Sequence, residues 1–518
     1  MVDQIGARAI ERGGEIAAID LGSNSFHLVL GRDEGGQARV LDRIKERVSL
    51  AEGLRANGTI TPEAKVRALA CLTRFGQRLQ GLDPSRVRAA GTNTFRAARD
   101  GGAFLEQASE QLGFPIDIVS GSEEARLVYA GVRFSSGFFK RRILCVDIGG
   151  GSTELALGKG GNPRLTESLR VGHVTWTERF FPDGRVDTGS FAAAVRTARL
   201  AMRSVARTFR EAEAELFVGS SGTALAIAAV IDAMGWDRGD DTVKVAGHFS
   251  RASLERLRDE LITSGGDTSG LRELADSRRD RFAAGVAIML AVFDSLRIES
   301  MVVSDGALRE GLLSELVGRL NHRDGRDATV LAKAERFSVD MEQAGRVAST
   351  AALLFEASRK AWGFRRARVG LLLRWAALLH EIGLSVSHDA YRRHGSYLIA
   401  NADLPGFSRN EQERLGKVVY CQRGRLRADL FDAFREGQRQ EAIAATLLLR
   451  VARIMHRSRS SRPLPAWHPS ASREEDRLSL VLGIPEDWCR AHGLVVADLE
   501  LERIQWAELG HVLELGIR

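Results

Sequence analysis

The chain has 518 residues, of which 44% are hydrophobic and 27% are charged, so it is too long for one core and predicts about three domains. Its formal net charge is +7 and most of its basic residues are arginine, which suits a phosphate-rich partner, although a genomic preference for arginine gives the same composition. Four scattered cysteines argue against a disulfide framework or a zinc site, and no apolar stretch is long enough to cross a bilayer. We therefore expect a soluble, cytoplasmic protein without stable membrane insertion.

The first predicted element is a strand over residues 16–19, which ends at Asp20 and turns through small residues into a second strand. The sequence of this hairpin, IDLGSNSFHLVLG, recurs without a gap as VDIGGGSTELALG at residues 146–158. Glycines in such a turn let the backbone approach an anion, and its N–H and hydroxyl groups can surround phosphate oxygens. One copy alone is explained by an ordinary glycine-rich β-turn. The repeated acidic residue at the same offset favours a phosphate loop built twice.

The next predicted strands also end in polar segments. The strand over residues 87–90 leads into GTNT, and Arg96 follows within one helical turn, which directs its guanidinium toward the same cleft. The strand over residues 116–119 is followed by Glu123 and Glu124 at the predicted start of a helix. A carboxylate in that position usually complements the helix dipole, so its place on the helix does not by itself indicate catalysis.

In the second half, strands near residues 216–218 and 300–303 feed the loops 219–223 and 304–306. Alternating strands and helices predict an α/β fold with two related lobes. The pattern becomes helical from about residue 318, and strands are expected to return only after residue 478. We therefore predict an N-terminal lobe over residues 1–128, a second lobe over 129–315, a helical domain over 316–465 and a small α+β segment over 466–518.

Six motifs follow one another along the chain: AAIDLGSNSFHLVL, AAGTNTFRAA, SGSEEARLVYAGV, VDIGGGSTEL, GSSGT and SDGALREG. In this order they resemble the exopolyphosphatase and guanosine pentaphosphate phosphatase (Ppx/GppA) family, which belongs to the actin, Hsp70 and sugar kinase superfamily. The resemblance covers nearly the whole chain. It implies two actin-like, ribonuclease H-like lobes, followed by an all-α HD-like domain as in the longer members.

The resemblance also implies roles for single residues. Glu124 matches the general base that orients or deprotonates the attacking water, and Glu123 stays the alternative because charge alone does not separate the two. Asp147 and Glu154 match residues that bind a divalent cation, expected to be Mg²⁺, or position the water in catalysis, and Asp20 holds the equivalent place in the first loop. The remaining predicted residues bind phosphate: Gly22, Ser23, Asn24, Ser25, Asn93, Arg96, Gly149, Gly150, Gly151, Ser152 and Thr153.

In the helical domain, His380 and Glu381 occupy the position where HD-domain phosphohydrolases carry a metal-binding His-Asp pair. Glutamate replaces the aspartate, and no histidine between residues 323 and 379 supplies the first ligand of such a site. We therefore predict a domain without catalysis of its own, which extends a basic channel or a dimer surface. The family resemblance alone suggests a homodimer.

The leading functional prediction is an exopolyphosphatase that hydrolyses the terminal phosphate of inorganic polyphosphate with Mg²⁺. A 5′-phosphatase of guanosine 5′-triphosphate 3′-diphosphate (guanosine pentaphosphate) needs the same loops and is the alternative within the family. An ATP-dependent phosphotransferase of the actin and sugar kinase type is the alternative from another class, but the two glutamates beside Arg126 favour water as the acceptor. A non-catalytic sensor requires a broken acidic set, whereas all four acidic residues are present. DNA is not an expected partner.

Overall fold

The structure is a computed structural model that describes residues 14–34, 37–55, 57–136, 140–237, 247–320, 324–364 and 366–517. The chain divides into two compact units, Met1–Asp324 and Gly325–Arg518. The second unit has a hydrophobic core of its own, separate from those of the first. No described helix is both long enough and apolar enough to cross a bilayer.

The first lobe is built on a five-stranded sheet with the order β3-β2-β1-β4-β5. Strand β1 runs antiparallel to β2 and parallel to β4. Its strands are β1 (Glu15–Leu21), β2 (Ser25–Glu34), β3 (Gln37–Arg47), β4 (Val87–Gly91) and β5 (Ile116–Ile118). Its helices are α1 (Pro62–Arg78), α2 (Asn93–Ala97), α3 (Gly101–Leu112) and α4 (Gly121–Ser136).

The second lobe repeats this plan on a six-stranded sheet with the order β10-β11-β9-β6-β7-β8. Its strands are β6 (Ile143–Ile148), β7 (Thr153–Gly158), β8 (Pro163–Leu169), β9 (Leu216–Ser220), β10 (His248–Ser250) and β11 (Ser300–Val303). Its helices are α5 (His173–Phe180), α6 (Thr188–Glu211), α7 (Ser221–Ala233), α8 (Arg251–Thr263) and α9 (Asp276–Leu296), and α10 (Leu308–Leu320) follows it. Apart from the edge strand β10, the strand order matches that of the first lobe.

The repeated hairpins have the same register in the two sheets. Asp20 lies opposite His27 across β1 and β2, and Asp147 lies opposite Glu154 across β6 and β7. The predicted duplication is therefore present in the backbone as well as in the sequence. The predicted loop at residues 219–223 is different: β9 ends at Ser220 and α7 begins at the next residue, so strand and helix join directly.

Helices α4 and α10 pack between the two sheets. Ile16 and Ala18 on one face of β1 join a core with these helices and with Ile143 and Cys145 of β6, because successive side chains of a strand point to opposite faces. Helix α10 follows the second lobe in the chain yet packs against β1 and β2 of the first. The predicted boundaries at residues 128 and 315 fall inside α4 and α10.

The second unit contains eight α-helices within its described residues and a three-stranded sheet with the order β12-β13-β14. Its helices are α11 (Arg326–Arg336), α12 (Met341–Trp362), α13 (Leu371–Leu379), α14 (Tyr391–Asn401), α15 (Arg409–Cys421), α16 (Glu436–Met455), α17 (Glu486–Ala491) and α18 (Gly493–Glu508). Its strands are β12 (His468–Glu474), β13 (Arg477–Ile484) and β14 (Val512–Ile517).

The expectation that strands return only after residue 478 was wrong. Strand β12 begins at His468, and none of its residues is buried, so it lacks the apolar alternation that reveals a strand in a sequence. The sheet shares one core with the helices. Trp362 on α12 donates its indole N–H to the carbonyl oxygens of Ser472 at 3.0 Å and Ser479 at 3.2 Å, so the segment 466–518 packs as part of this unit.

The HD-like pair is enclosed by protein. His380 is buried and its Nδ1 lies 2.7 Å from the carbonyl oxygen of Ala377. Glu381 forms an ion pair with Arg459. The carboxylate at the position of the HD-domain metal ligand is therefore paired with an arginine.

Candidate active site

The two repeated loops face one cleft of about 400 Å³ in the first unit. The second-last residue of the central strand before each loop is an aspartate, which brings Asp20 and Asp147 to the same cleft. The loops approach closely, since a Cβ added to Gly150 would lie 3.2 Å from the Cβ of Ser23. Seven of the predicted phosphate-binding residues line the cleft: Gly22, Ser23, Asn24, Ser25, Gly149, Gly150 and Ser152.

Glu124 also lines this cleft, from the first turn of α4. Nη1 of Arg96 donates to its Oε2 at 2.8 Å and to the carbonyl oxygen of Val119 at 2.8 Å. Burial raises the pKa of Glu124, and the charge and hydrogen bond of Arg96 partly oppose that rise. Arg96 thus orients the carboxylate predicted to be the base, instead of lining the cleft itself.

Glu123 has a different environment from its neighbour. Its carboxylate accepts two hydrogen bonds of 2.7 Å from Arg126, one turn further along α4, and the side chain is 2% exposed. Glu123 does not line the cleft. The geometry therefore favours Glu124 as the base and makes Glu123 part of the packing of α4.

The remaining acidic residues form a buried group in the cleft, whose negative charge Arg309 compensates only in part. Burial and repulsion from Glu124 raise the pKa of Asp20 to about 8 and that of Asp147 to about 7. Burial, Glu124 and Asp147 raise the pKa of Glu154 well above its ordinary value. Oδ1 of Asp20 is buried and has no hydrogen-bond partner in the part of the chain that the structure describes.

These carboxylates fit a divalent cation. Buried, mutually repelling carboxylates lower their energy when a cation binds them. Among the described residues, no group of three or more His, Cys, Asp or Glu side chains could hold a metal ion alone. Mg²⁺ usually takes only one or two protein carboxylates and completes its coordination with water and substrate phosphate. Asp20, Asp147 and Glu154 are the residues that would hold such an ion.

Three further residues that were predicted to bind phosphate support the loops and do not line the cleft: Asn93, Gly151 and Thr153. Thr153 donates its hydroxyl to the carbonyl oxygen of Val171 at 2.6 Å, so we correct its predicted role in phosphate binding. Asn93 packs against Gly151, where an added Cβ would lie 2.1 Å from the amide nitrogen. This close approach explains why the second loop needs a glycine there.

Four basic side chains at the cleft were not among the predicted site residues. Arg43, Lys45, Arg278 and Arg309 line it together with His27 and His173. Within the described residues, the side chains of Lys45 and Arg278 make no hydrogen bond or ion pair. For Lys45, the pairing of β2 with β3 was the signal that could have placed it at the site, because Lys45 lies directly opposite His27.

The histidines of the cleft are neutral at physiological pH. Burial and the nearby charges of Arg309, Lys45 and Arg278 lower the pKa of His27 to about 3. Burial and Arg278 lower the pKa of His173 to about 4. The cleft therefore offers guanidinium and ammonium groups, and not imidazolium, to an anionic substrate.

Residues 19–320 match the family model described as the Ppx/GppA phosphatase family, and residues 326–503 match the model of its domain III. The chain belongs to the Ppx/GppA phosphatase family. Its members hydrolyse phosphoanhydride bonds, which confirms the predicted enzyme class and removes the phosphotransferase alternative.

Curated relatives match over nearly the full length. A guanosine-5'-triphosphate,3'-diphosphate pyrophosphatase from Aeromonas hydrophila is 34% identical over 495 residues, which cover 95% of this chain and 97% of the relative. A protein of the same name from Vibrio cholerae is 35% identical over 504 residues, with coverage of 96% and 97%.

Solved structures support the predicted fold class. The Ppx/GppA enzyme of Aquifex aeolicus superimposes with a TM-score of 0.50 at 24% identity, over 58% of this chain and 99% of that one. An exopolyphosphatase from Cytophaga hutchinsonii superimposes with a TM-score of 0.52 at 22% identity, over 58% and 97%. Together with the domain III match, they confirm two actin-like lobes followed by a helical domain.

Proposed function

We propose that this chain is a 5′-phosphatase of guanosine 5′-triphosphate 3′-diphosphate. The observation that carries the hydrolytic part of the proposal is the shared cleft, in which two phosphate loops, Glu124 and three further carboxylates converge. The nucleotide substrate is supported by the names of relatives that match almost the whole chain at 34% and 35% identity. The polyphosphate substrate predicted first from the sequence becomes the second candidate.

In the proposed reaction, the two loops hold the terminal phosphate, and Glu124 accepts a proton from the attacking water. The water oxygen forms a bond to the terminal phosphorus, and the bond from that phosphorus to the bridging oxygen breaks. The bridging oxygen stays with the guanosine 5′-diphosphate 3′-diphosphate product, and orthophosphate is released. Arg96 fixes the direction of the Glu124 carboxylate. A bound Mg²⁺ would add positive charge to the phosphoryl oxygens, and Asp20, Asp147 and Glu154 are the residues we propose to hold it.

Inorganic polyphosphate is the second candidate because of the cations in the cleft. Lys45 and Arg278 are not engaged by other described side chains, so they are available to further phosphates of a longer anion. The homodimer expected from the family resemblance stays a prediction.

The deciding experiment compares phosphate release from guanosine pentaphosphate, long polyphosphate and short polyphosphate at equal enzyme concentration. Glu124→Gln serves as the background control. We expect the highest kcat/KM with guanosine pentaphosphate. A higher kcat/KM with long polyphosphate would establish the second candidate, and release no faster than that of the control with all three substrates would refute both.

A further inference from the structure

A second-lobe arginine reaches across to the first phosphate loop. Arg281, in the second turn of α9, donates from Nη1 to Oδ1 of Asn24 at 2.8 Å and forms an ion pair through Nη2 with Glu52. Asn24 belongs to the loop after β1, and Glu52 to the segment between β3 and α1. The Arg281 side chain is 13% exposed and that of Glu52 is 41% exposed, so the Asn24 contact is partly buried while the ion pair lies at the surface.

The contact acts on a loop that is already tied to its own lobe. The carbonyl oxygen of Asn24 accepts from the backbone N–H groups of Val48 at 3.0 Å and Ser49 at 2.8 Å. The carbonyl oxygen of Ser23 accepts from the N–H of Ala51 at 2.9 Å. Arg281 bonds the side chain of Asn24, a loop residue that also lines the cleft, and so couples the loop to the other lobe.

The same helix carries a cation of the cleft. Arg278 lies three residues before Arg281, and residues three apart share one face of a helix. Arg278 passes close over Gly222, where an added Cβ would lie 1.8 Å from its Nη2. One turn of α9 therefore presents Arg278 to the cleft and anchors itself through Arg281 to the first loop.

We propose that Arg281 is a positioning residue, which holds the first phosphate loop in register with Arg278 and the second loop. It does not line the cleft of the two loops, so it acts through Asn24 and Glu52. Its effect on hydrolysis rests on the proposed function, whereas its effect on the position of the loop does not. Phosphoryl transfer depends on such registration, since a misplacement of about 1 Å can cost about 100-fold in rate.

The test combines kinetics with hydrogen exchange in full-length protein. In Arg281→Met we expect kcat/KM to fall about 10-fold to 100-fold with KM raised, because a displaced loop binds the terminal phosphate poorly. If the substitution only reduced the amount of folded enzyme, the apparent kcat would fall and KM would stay unchanged. Arg281→Lys keeps a cation for Glu52 and should recover part of the loss.

Arg279→Met is the matched control. Arg279 lies on the same helix, but its partners among the described residues, Asp276 and Thr268, both belong to the second lobe. Without substrate, we expect the amide protons of residues 48, 49 and 51 to exchange faster in Arg281→Met and at the wild-type rate in Arg279→Met.

Each outcome decides the proposal. Wild-type KM, kcat and amide exchange in Arg281→Met would overturn it, as would equal changes in the two variants. If wild-type protein hydrolyses neither guanosine pentaphosphate nor polyphosphate, the proposed function fails, and the exchange rates alone decide whether Arg281 holds the loop.

Discussion

Glu123 and Glu124 differ in environment although they are neighbours in the sequence. On a helix, consecutive side chains point about 100° apart, so Glu124 reaches the cleft while Glu123 meets Arg126. The sequence motif favoured Glu124 but could not exclude its neighbour. The two residues therefore make a matched pair for mutagenesis.

In Glu124→Gln we expect kcat to fall about 100-fold to 10,000-fold, because the amide cannot accept the proton of the attacking water. Thermal stability should change little, because relief of the repulsion that raises the pKa of Asp20 and Asp147 offsets the loss of the charge paired with Arg96, and the glutamine oxygen can still accept the Arg96 hydrogen bond. The measurements are steady-state phosphate release and thermal denaturation.

Glu123→Gln should show the reverse pattern. Its loss leaves Arg126 without one of its two carboxylate partners, Glu123 and Glu315, so stability should decrease while kcat per folded molecule is retained. Equal kcat losses in the two variants would contradict the assignment of the base.

The acidic group also predicts how stability depends on pH. An unfolded aspartate releases its proton near pH ~4, whereas Asp20 and Asp147 have pKa values of about 8 and about 7 in the folded chain. Between about pH 4 and about pH 8, these two side chains therefore hold more protons in the folded chain than in the unfolded chain. Their contribution to the free energy of unfolding falls as the pH rises through this range. The buried histidines His27 and His173 act in the opposite direction, but only below about pH 6.5, where an unfolded histidine is protonated.

We expect metal-free protein, denatured in a chelating buffer, to lose stability as the pH rises from about 6.5 to about 8, and Asp20→Asn to lose less over the same range. Added Mg²⁺ should raise Tm more at the alkaline end, because the cation and the protons compete for the same carboxylates. Parallel profiles for wild type and Asp20→Asn would show that Asp20 is not the titrating group.

At the scale of the elements, α4 and α10 pack closely against each other. A Cβ added to Gly311 would lie 1.9 Å from the carbonyl oxygen of Leu127, and one added to Gly131 would lie 1.9 Å from that of Ala307. Both obstacles are backbone atoms, which cannot turn aside as a side chain can. These glycines therefore set the distance between the two helices.

Gly311→Ala should destabilise the first unit by about 1–3 kcal/mol or more, as overpacking does in a dense interior. Gly102→Ala on α3 is the control, because an added Cβ meets nothing within 4 Å there and alanine favours a helix by up to about 1 kcal/mol. Denaturant unfolding of both variants measures the difference. Equal stability of the two would show that α4 and α10 can separate at little cost.

Elements that repeat or alternate were predictable from the sequence. The hairpins around Asp20 and Asp147 carry apolar strands, turn residues and a repeat, and the structure contains them where expected. The position of α10 was not predictable, because its packing on β1 joins residues almost 300 positions apart. The separate roles of the arginines on α9 were not predictable either. Only the folded helix shows that Arg278 reaches the cleft, Arg281 the first loop and Arg279 its own lobe.

At the scale of the whole molecule, the two units have separate cores. In the second unit, Arg450 and Glu502 form a buried ion pair with contacts of 2.6 and 2.7 Å. Removal of one member of such a pair costs about 3–5 kcal/mol, because the other charge stays buried. This pair reports on the second unit without touching the cleft.

We expect calorimetry to resolve two unfolding transitions. Mg²⁺ should raise the transition of the first unit, which contains the carboxylates, because a ligand stabilises the unit that binds it. Glu502→Gln should lower the other transition. A single transition that both treatments shift would show that the units unfold together.

The late position of α10 in the chain has a consequence for synthesis. Ile16, Ala18 and Val29 on the inner face of the first sheet share their core with Leu312 and Leu313 of α10, which leave the ribosome much later. At about 5 to 20 residues per second, tens of seconds separate the two events. The inner face of the first sheet therefore lacks its α10 cover while the second lobe is synthesised. During this period a chaperone can bind that apolar face.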